Sequence, residues 1–308
     1  MLQYFICPDG RKVKVKDCLQ ECVNHNRCLT LPTLRAIARQ REWTGVPSVT
    51  QLLKPTRMAF LEITTDYAID PDDHAFALVG TQHHEKVARF DFNVLAEEAL
   101  KAFSVTGIPD LLEEENSEFV LTDYKLLGSF KIRKCLGLVE KKIPDPSGEV
   151  YKRSGKGFKK GDLKMITTFE VDKNKVDMRD YELQLNMYRI LYEKIGFPIA
   201  RMRIQATCRE GKQLYIAQQR GIERNIYLIP VKKIDDKECI TYFSKKREAL
   251  LSALERKKLP PKCAGWEAWD GRRCDFCDVH EFCPDFPKEN EAVKPKTSSE
   301  NPVKISLV

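Results

Sequence analysis

Asp110, Asp123 and Lys125 are the residues whose types and spacing most directly suggest chemistry. They lie in Val105–Lys125, VTGIPDLLEEENSEFVLTDYK, where two apolar strand-like segments, each bearing one carboxylate, flank a short acidic turn. In a hairpin the strands lie side by side, so the two carboxylates can converge at one end of the sheet. Side chains alternate along a strand, so Asp123 and Lys125 project from one face and Tyr124 from the other. Two carboxylates and an ammonium on one patch suit a hard divalent cation and a polarised water. The stretch reads as a catalytic hairpin.

Thiols offer a second chemistry. Eleven cysteines in a chain that reads as intracellular point to metal before disulfides. Cys7, Cys18, Cys22 and Cys28 fall within one short segment that has few apolar side chains, so a structural metal would supply what its core lacks. A four-thiolate zinc site is the expectation there, with His25 as the substitute fourth ligand; four reduced cysteines without metal is the alternative. Near the other end, Cys274-x2-Cys277-x5-Cys283 places two thiolates on one turn, where they chelate one centre. Two sets of four account for eight cysteines, which assigns Cys263 as the fourth C-terminal ligand, with Cys28 as the alternative. Spacing alone does not separate zinc from a [4Fe–4S] cluster. Cys135, Cys208 and Cys239 stand in apolar or strand-like surroundings and read as buried filler.

Taken together, these pieces resemble a known family. Gly107-x-x-Asp110 followed by an apolar strand ending in Asp123-x-Lys125 resembles the PD-(D/E)XK nuclease superfamily, and within it the RecB-type branch of CRISPR-associated exonucleases and phage nucleases. Gly80-Thr81-Gln82-His83-His84 resembles that branch's G-T-x-x-H helix start, Gln184-Leu185-Asn186-Met187-Tyr188 its Q-L-x-x-Y helix, and the cysteine triplet its C-terminal cluster. Ser48-Val49-Thr50-Gln51-Leu52 with Arg57 is similar to its opening motif. One departure stands out: the slot near 54–55, which in the family carries the first cluster cysteine, holds Lys54 and Pro55. The resemblance spans roughly 48–283 and implies an α/β restriction-endonuclease-like core, a central mixed sheet flanked by helices, with cysteine-rich metal-binding segments at both ends. It implies that Asp110, Asp123, the Tyr124 carbonyl and His84 (His83 as the fallback) hold one or two Mg²⁺ or Mn²⁺ ions, with Lys125 orienting the attacking water or steadying charge on the phosphorane. Gln184 and Tyr188, four apart and so on one helix face, would organise the site or meet DNA; the plainer alternative makes Tyr188 core. For the C-terminal thiols the resemblance favours iron–sulfur over zinc.

Around these residues the chain reads as a cysteine-rich segment 1–30, a nuclease domain 31–258 with a basic insertion at 131–165, the cysteine cluster 259–285 and a disordered polar tail 286–308. Helices are expected over 29–60, 76–103, 181–194 and 242–258, the third of them amphipathic, and strands over 163–171, 200–206 and 225–231. The insertion holds eleven Lys or Arg against four Asp or Glu, a surplus equal to the net charge of +7 of the whole chain of 308 residues. Its glycines argue for a mobile loop over 145–162 that holds phosphates or is simply solvated. Composition (42% hydrophobic, 31% charged) is that of a soluble protein, and no apolar run approaches the ~20 residues of a membrane helix. Met1-Leu2-Gln3-Tyr4 does not open a signal peptide, so a cytoplasmic protein with no membrane partner is expected.

The expected function is a Mg- or Mn-dependent deoxyribonuclease, an exonuclease first, acting on DNA. The resemblance implies work beside recombination, phage or CRISPR partner proteins. A non-catalytic, metal-stapled DNA-binding protein and a site-specific endonuclease are the alternatives, and the oligomeric state is left open.

Overall fold

The computed structural model describes residues 1–40, 42–74, 78–80, 95–96 and 99–286. Three short strands open the fold. β1 (Leu2–Ile6) buries Leu2 and Phe5, turns at Cys7–Gly10 and returns as β2 (Lys12–Lys14). α1 (Val15–Gln20) follows, then α2 (Leu31–Ile37), which carries Pro32 in its first turn, where no amide partner is lost. α3 (Val49–Leu52) is capped by the Ser48 hydroxyl, which accepts from the Gln51 amide. α4 (Thr56–Thr64) leads into β3 (Tyr67–Ile69), which lies parallel to β1. Leu2, Phe5, Cys18, Leu34 and Ile69 form a small core of their own.

The main layer begins with β4 (Leu95–Ala96); β5 (Leu100–Ala102) and β6 (Val105–Gly107) pair as a separate ribbon. β7 (Leu111–Glu115) and β8 (Glu118–Leu127) form the hairpin read from the sequence. Its two turn residues, Asn116 and Ser117, have φ of 54° and 64°, the left-handed pair whose twist matches the strands they join. α5 (Ser129–Leu136) ends at Gly137 (φ 65°), where an added Cβ would stand 2.4 Å from the Asp172 carbonyl oxygen. β9 (Leu138–Pro144) and β10 (Met165–Val171) make a two-stranded ribbon. α6 (Arg179–Lys194), β11 (Ile199–Cys208), α7 (Tyr215–Gln218), β12 (Ile226–Pro230) and α8 (Asp236–Arg256) complete the layer, followed by 3-10 segments at Gly265–Phe276 and His280–Phe282.

Strand order in the five-stranded mixed sheet is β12-β11-β8-β7-β4, with β8 in the middle. β8 is antiparallel to β7 and parallel to β11, a connection that needs a crossover, which α6 provides. Val120 to Tyr124 are all buried, as a central strand covered on both faces requires. On the face away from Asp123, Arg203 of β11 donates to Thr122 (3.0 Å) and Glu115 (2.6 Å) and also reaches Glu113, tying three strands together. The fold is thus mixed α/β, and no helix among the described residues is long and apolar enough to cross a membrane.

Several expectations change. Residues 95–96 and 100–102 are strands, so a helix does not run through to 103; the apolar periodicity there belongs to short strands. β10 is not a strand of the central sheet: among the described residues it pairs with β9 alone. Helix α6 is not amphipathic in its setting, because every residue from Tyr181 to Tyr192 except the half-buried Glu182 is buried. Its polar half is satisfied internally: Arg189 donates to Glu193 (2.7 Å), Asn186 (3.3 Å) and Asp236. The last long helix begins at Asp236, capped by Asp235, and not at Tyr242. Segment 145–162 folds as the tip of the β9–β10 ribbon. Its Tyr151 and Phe158 rings stack at 3.8 Å, and Tyr151 exchanges backbone bonds with Asp162 and Gly161. His83 and His84, most of the proposed helix 76–103 and the tail after 286 lie outside the described residues.

Candidate active site and thiol clusters

Asp110 stands immediately before β7, and the register Leu111↔Thr122 carries it to a position across from Asp123. Its Oδ2 accepts from the Tyr124 amide at 2.8 Å, which clamps the mouth of the hairpin. Asp123 is 1% exposed on β8, and its Oδ2 lies 2.5 Å from Lys125 Nζ. Alternation along β8 therefore delivers the arrangement expected from spacing, with Asp123 and Lys125 on one face. Burial disfavours the Lys125 ammonium, but the Asp123 and Asp110 carboxylates outweigh it, so its pKa lies above the ordinary lysine value. Lys125 thus stays a cation at neutral pH.

Helix α6 roofs this face. Gln184 Nε2 donates to Asp123 Oδ1 (3.3 Å) and to Tyr188 Oη (3.3 Å), so the i, i+4 pair points one polar edge at the carboxylate. Tyr188 is both core and site: it is 3% exposed, with its hydroxyl in the Gln184 chain. Gly107 has a physical reason to be glycine, since a Cβ there would stand 2.7 Å from Tyr188 Cε1 and 3.2 Å from Leu191 Cδ1. Gly107→Ala is expected to destabilise the chain by about 1–3 kcal/mol, as overpacking against a buried ring does. The check is the urea midpoint, and an unchanged midpoint would show that Tyr188 yields freely.

Three neighbours escaped the sequence reading. The Lys131 ammonium lies 5.0 Å from the Tyr181 ring centroid and 3.4 Å from Asp180, beside Lys125, which lies 5.9 Å from the same ring. Asp180 and Tyr181 open α6 and Lys131 sits on α5, so only the fold brings them to the hairpin. The two lysines thus stand among three carboxylates, Asp110, Asp123 and Asp180.

Two of the C-terminal thiols, Cys263 and Cys283, meet Arg57. Arg57, 7% exposed at the start of α4, donates to the carbonyls of Pro260 (2.8 Å) and Pro261 (3.2 Å), to Cys283 Sγ (3.4 Å) and to Asp285. Cys263 lines one hollow with Pro55 and Arg57, so it reaches the neighbourhood of the slot where Lys54 and Pro55 replace a cysteine. Burial raises the Cys263 thiol, the Arg57 charge opposes this, and the charges of Cys283 and Cys274 add to it. Burial pushes the Cys277 thiol up to about 11, and Cys263 contributes. Cys263, Cys274, Cys277 and Cys283 are therefore neighbours, whereas Cys28 sits with Cys7, Cys18 and Cys22 around another hollow. Cys135, Cys208 and Cys239 are buried in the main core. Among the described residues no group of three or more His, Cys, Asp or Glu side chains is already arranged to hold a metal ion.

No protein-family model matches the chain, and no curated protein matches it. Among solved structures it is similar to one described as the crystal structure of SSO0001, at 13% identity over 83% of this chain and 94% of that one, with a TM-score of 0.40.

Proposed function

We propose that the chain is a divalent-cation-dependent DNA nuclease with a PD-(D/E)XK-type core, acting first as an exonuclease. The observation that carries this reading is the meeting of Asp110, Asp123 and Lys125 at the mouth of the β7–β8 hairpin, under Gln184 and Tyr188. A buried carboxylate paired with a second carboxylate and a charged lysine is costly to assemble, and a surface that only binds DNA has no need of it. The donor set also fits: Asp110 and Asp123 offer hard oxygen donors beside the Tyr124 carbonyl, suited to Mg²⁺ or Mn²⁺. When bound, such an ion supplies charge neutralisation on a phosphate and a more acidic water.

The chain's own groups do the rest. Lys125 Nζ, 2.5 Å from Asp123 Oδ2, orients the attacking water or steadies negative charge on the reacting phosphate. Gln184 orients Asp123 from the helix side, and Tyr188 fixes Gln184. The C-terminal thiols Cys263, Cys274, Cys277 and Cys283 fit a soft, thiolate-bound centre, a [4Fe–4S] cluster or Zn²⁺, which when bound would staple the last segment to α4 through Arg57's neighbourhood. Incubation with Mn²⁺ and end-labelled single- and double-stranded DNA tests the reading. Laddering from one end is the expected result; internal cuts would make it an endonuclease, and retention without cleavage would make it a binding protein.

The β9–β10 ribbon belongs to the same reading. Its tip exposes Lys152, Arg153, Lys156, Lys159 and Lys160, none of them in an ion pair with a described residue. Fixed on a stacked aromatic pair, these cations suit a phosphate backbone. Replacing all five by Gln is expected to flatten the dependence of log K on log salt by roughly 2–4, given about 0.7–0.9 per phosphate contact. An unchanged slope would show that the tip is only solvated.

A further inference from the structure

The N-terminal thiols take no part in the nuclease site, yet the fold treats them as a unit. Cys7, Cys18, Cys22 and Cys28 all line one hollow of about 200 Å³, beside β2, α1 and α2. They come to it from separate pieces of chain. Cys7 opens the turn in which its carbonyl accepts from the Gly10 amide (2.8 Å), with Gly10 at φ 82°. Cys18 lies on α1 and is 7% exposed. Cys22 opens a second turn, its carbonyl accepting from the His25 amide at 2.9 Å. Cys7 and Cys18 each feel the charges of Cys22 and Cys28, which places the thiols within electrostatic reach of one another. His25 is exposed and does not line the hollow, so the fourth donor is a thiol and not the imidazole.

Two further features suit a soft cation. A tetrathiolate holding a divalent ion keeps a net negative charge, and Arg11 and Arg27 stand where their charges act on Cys7 and Cys18. Arg27 is held there by its bonds to the carbonyls of Cys18 and Gln20. The unit has a small core, since among the described residues Leu2, Phe5, Cys18, Leu34 and Ile69 are the ones buried in it; cores this small are commonly completed by metal. All four thiols are free, and χ1 rotation is the soft motion by which cysteine sulfurs close on an ion.

We infer that Cys7, Cys18, Cys22 and Cys28 form a structural zinc site, separate from the nuclease centre and from the C-terminal thiols. Four sulfur donors select zinc over magnesium or manganese. Its role is to hold the β1–β2 turn, α1 and the chain before α2 as one piece, in which Lys12 meets Glu281 of the C-terminal segment at 2.6 Å.

The test is metal content of the full chain, expressed with zinc supplied, for the parent and for Cys22→Ser, Cys28→Ser, His25→Ala and Cys277→Ser. Cys22→Ser and Cys28→Ser should each lose about one zinc per chain, and the double variant no more, because one ion takes all four sulfurs. His25→Ala and Cys277→Ser should retain that zinc. Replacement by Co²⁺ should give the intense visible bands of tetrahedral thiolate cobalt in Cys277→Ser. Should the serine variants fail to fold, titration of Cys277→Ser with an organomercurial decides, since zinc should leave only as the N-terminal thiols react. Zinc content unchanged in Cys22→Ser and Cys28→Ser, or no zinc in Cys277→Ser, overturns the inference. DNA cleavage is measured separately, so loss of the zinc site and failure of the nuclease reading are distinguishable.

Discussion

Lys125→Met is expected to lower single-turnover DNA cleavage by roughly 10²- to 10³-fold, the usual consequence of deleting one charged donor at a developing anion. DNA affinity should change little, because the basic ribbon tip is untouched. The substitution also reaches stability. Lys125 Nζ lies 2.5 Å from an Asp123 carboxylate that is 1% exposed, and removing the cation leaves that charge facing Asp110. Breaking a buried pair costs about 3–5 kcal/mol; with Lys125 22% exposed, solvent reduces this to about 1–3 kcal/mol. A simple hairpin lysine would show neither effect. If the variant cuts as fast as the parent, the role given to Lys125 is wrong.

A second large effect is expected at the C-terminal thiols. Protein purified without oxygen should be brown, since an iron–sulfur cluster absorbs across the visible and zinc does not. Cys277→Ala and Cys263→Ala should both bleach it, whereas Cys28→Ala should not, because Cys28 sits around a different hollow. Losing the centre frees the segment that Arg57 clasps, and several kcal/mol of lost metal binding at about 2–4 °C per kcal/mol lowers Tm by roughly 10 °C. Colourless parent protein whose zinc falls by about one per chain in Cys263→Ala would make the centre zinc. Protein with neither metal at these thiols would remove the centre from the account.

What could be read from the chain was what period and spacing control. Alternation in Val120–Lys125 placed Asp123 and Lys125 on one face, and the i, i+4 spacing of Gln184 and Tyr188 put them on one helix edge. Both are local relations that survive whatever tertiary setting surrounds them. The grouping of cysteines was similarly local, though the choice between Cys28 and Cys263 needed the α3–α4 turn to meet the segment after α8. Relations set only by packing were opaque. The helix 181–194 read as amphipathic because Arg189, Asn186 and Asp236 satisfy one another only once α8 arrives. The strand read at 163–171 carried no sign of its partner, because a ribbon strand and a sheet strand share the same pattern. Gly107 could be read as a motif position but not as the gap into which Tyr188 fits.

The most direct test of the central claim is Mn²⁺ binding followed by electron paramagnetic resonance, with cleavage of labelled DNA measured on the same samples. The account predicts that the parent removes free Mn²⁺ from solution and cuts DNA. It predicts that Asp110→Asn and Asp123→Asn lose both properties together while retaining the DNA affinity that the ribbon tip provides. A parent protein that cuts DNA equally well in excess EDTA, or aspartate variants that bind Mn²⁺ and cut as the parent does, would contradict it.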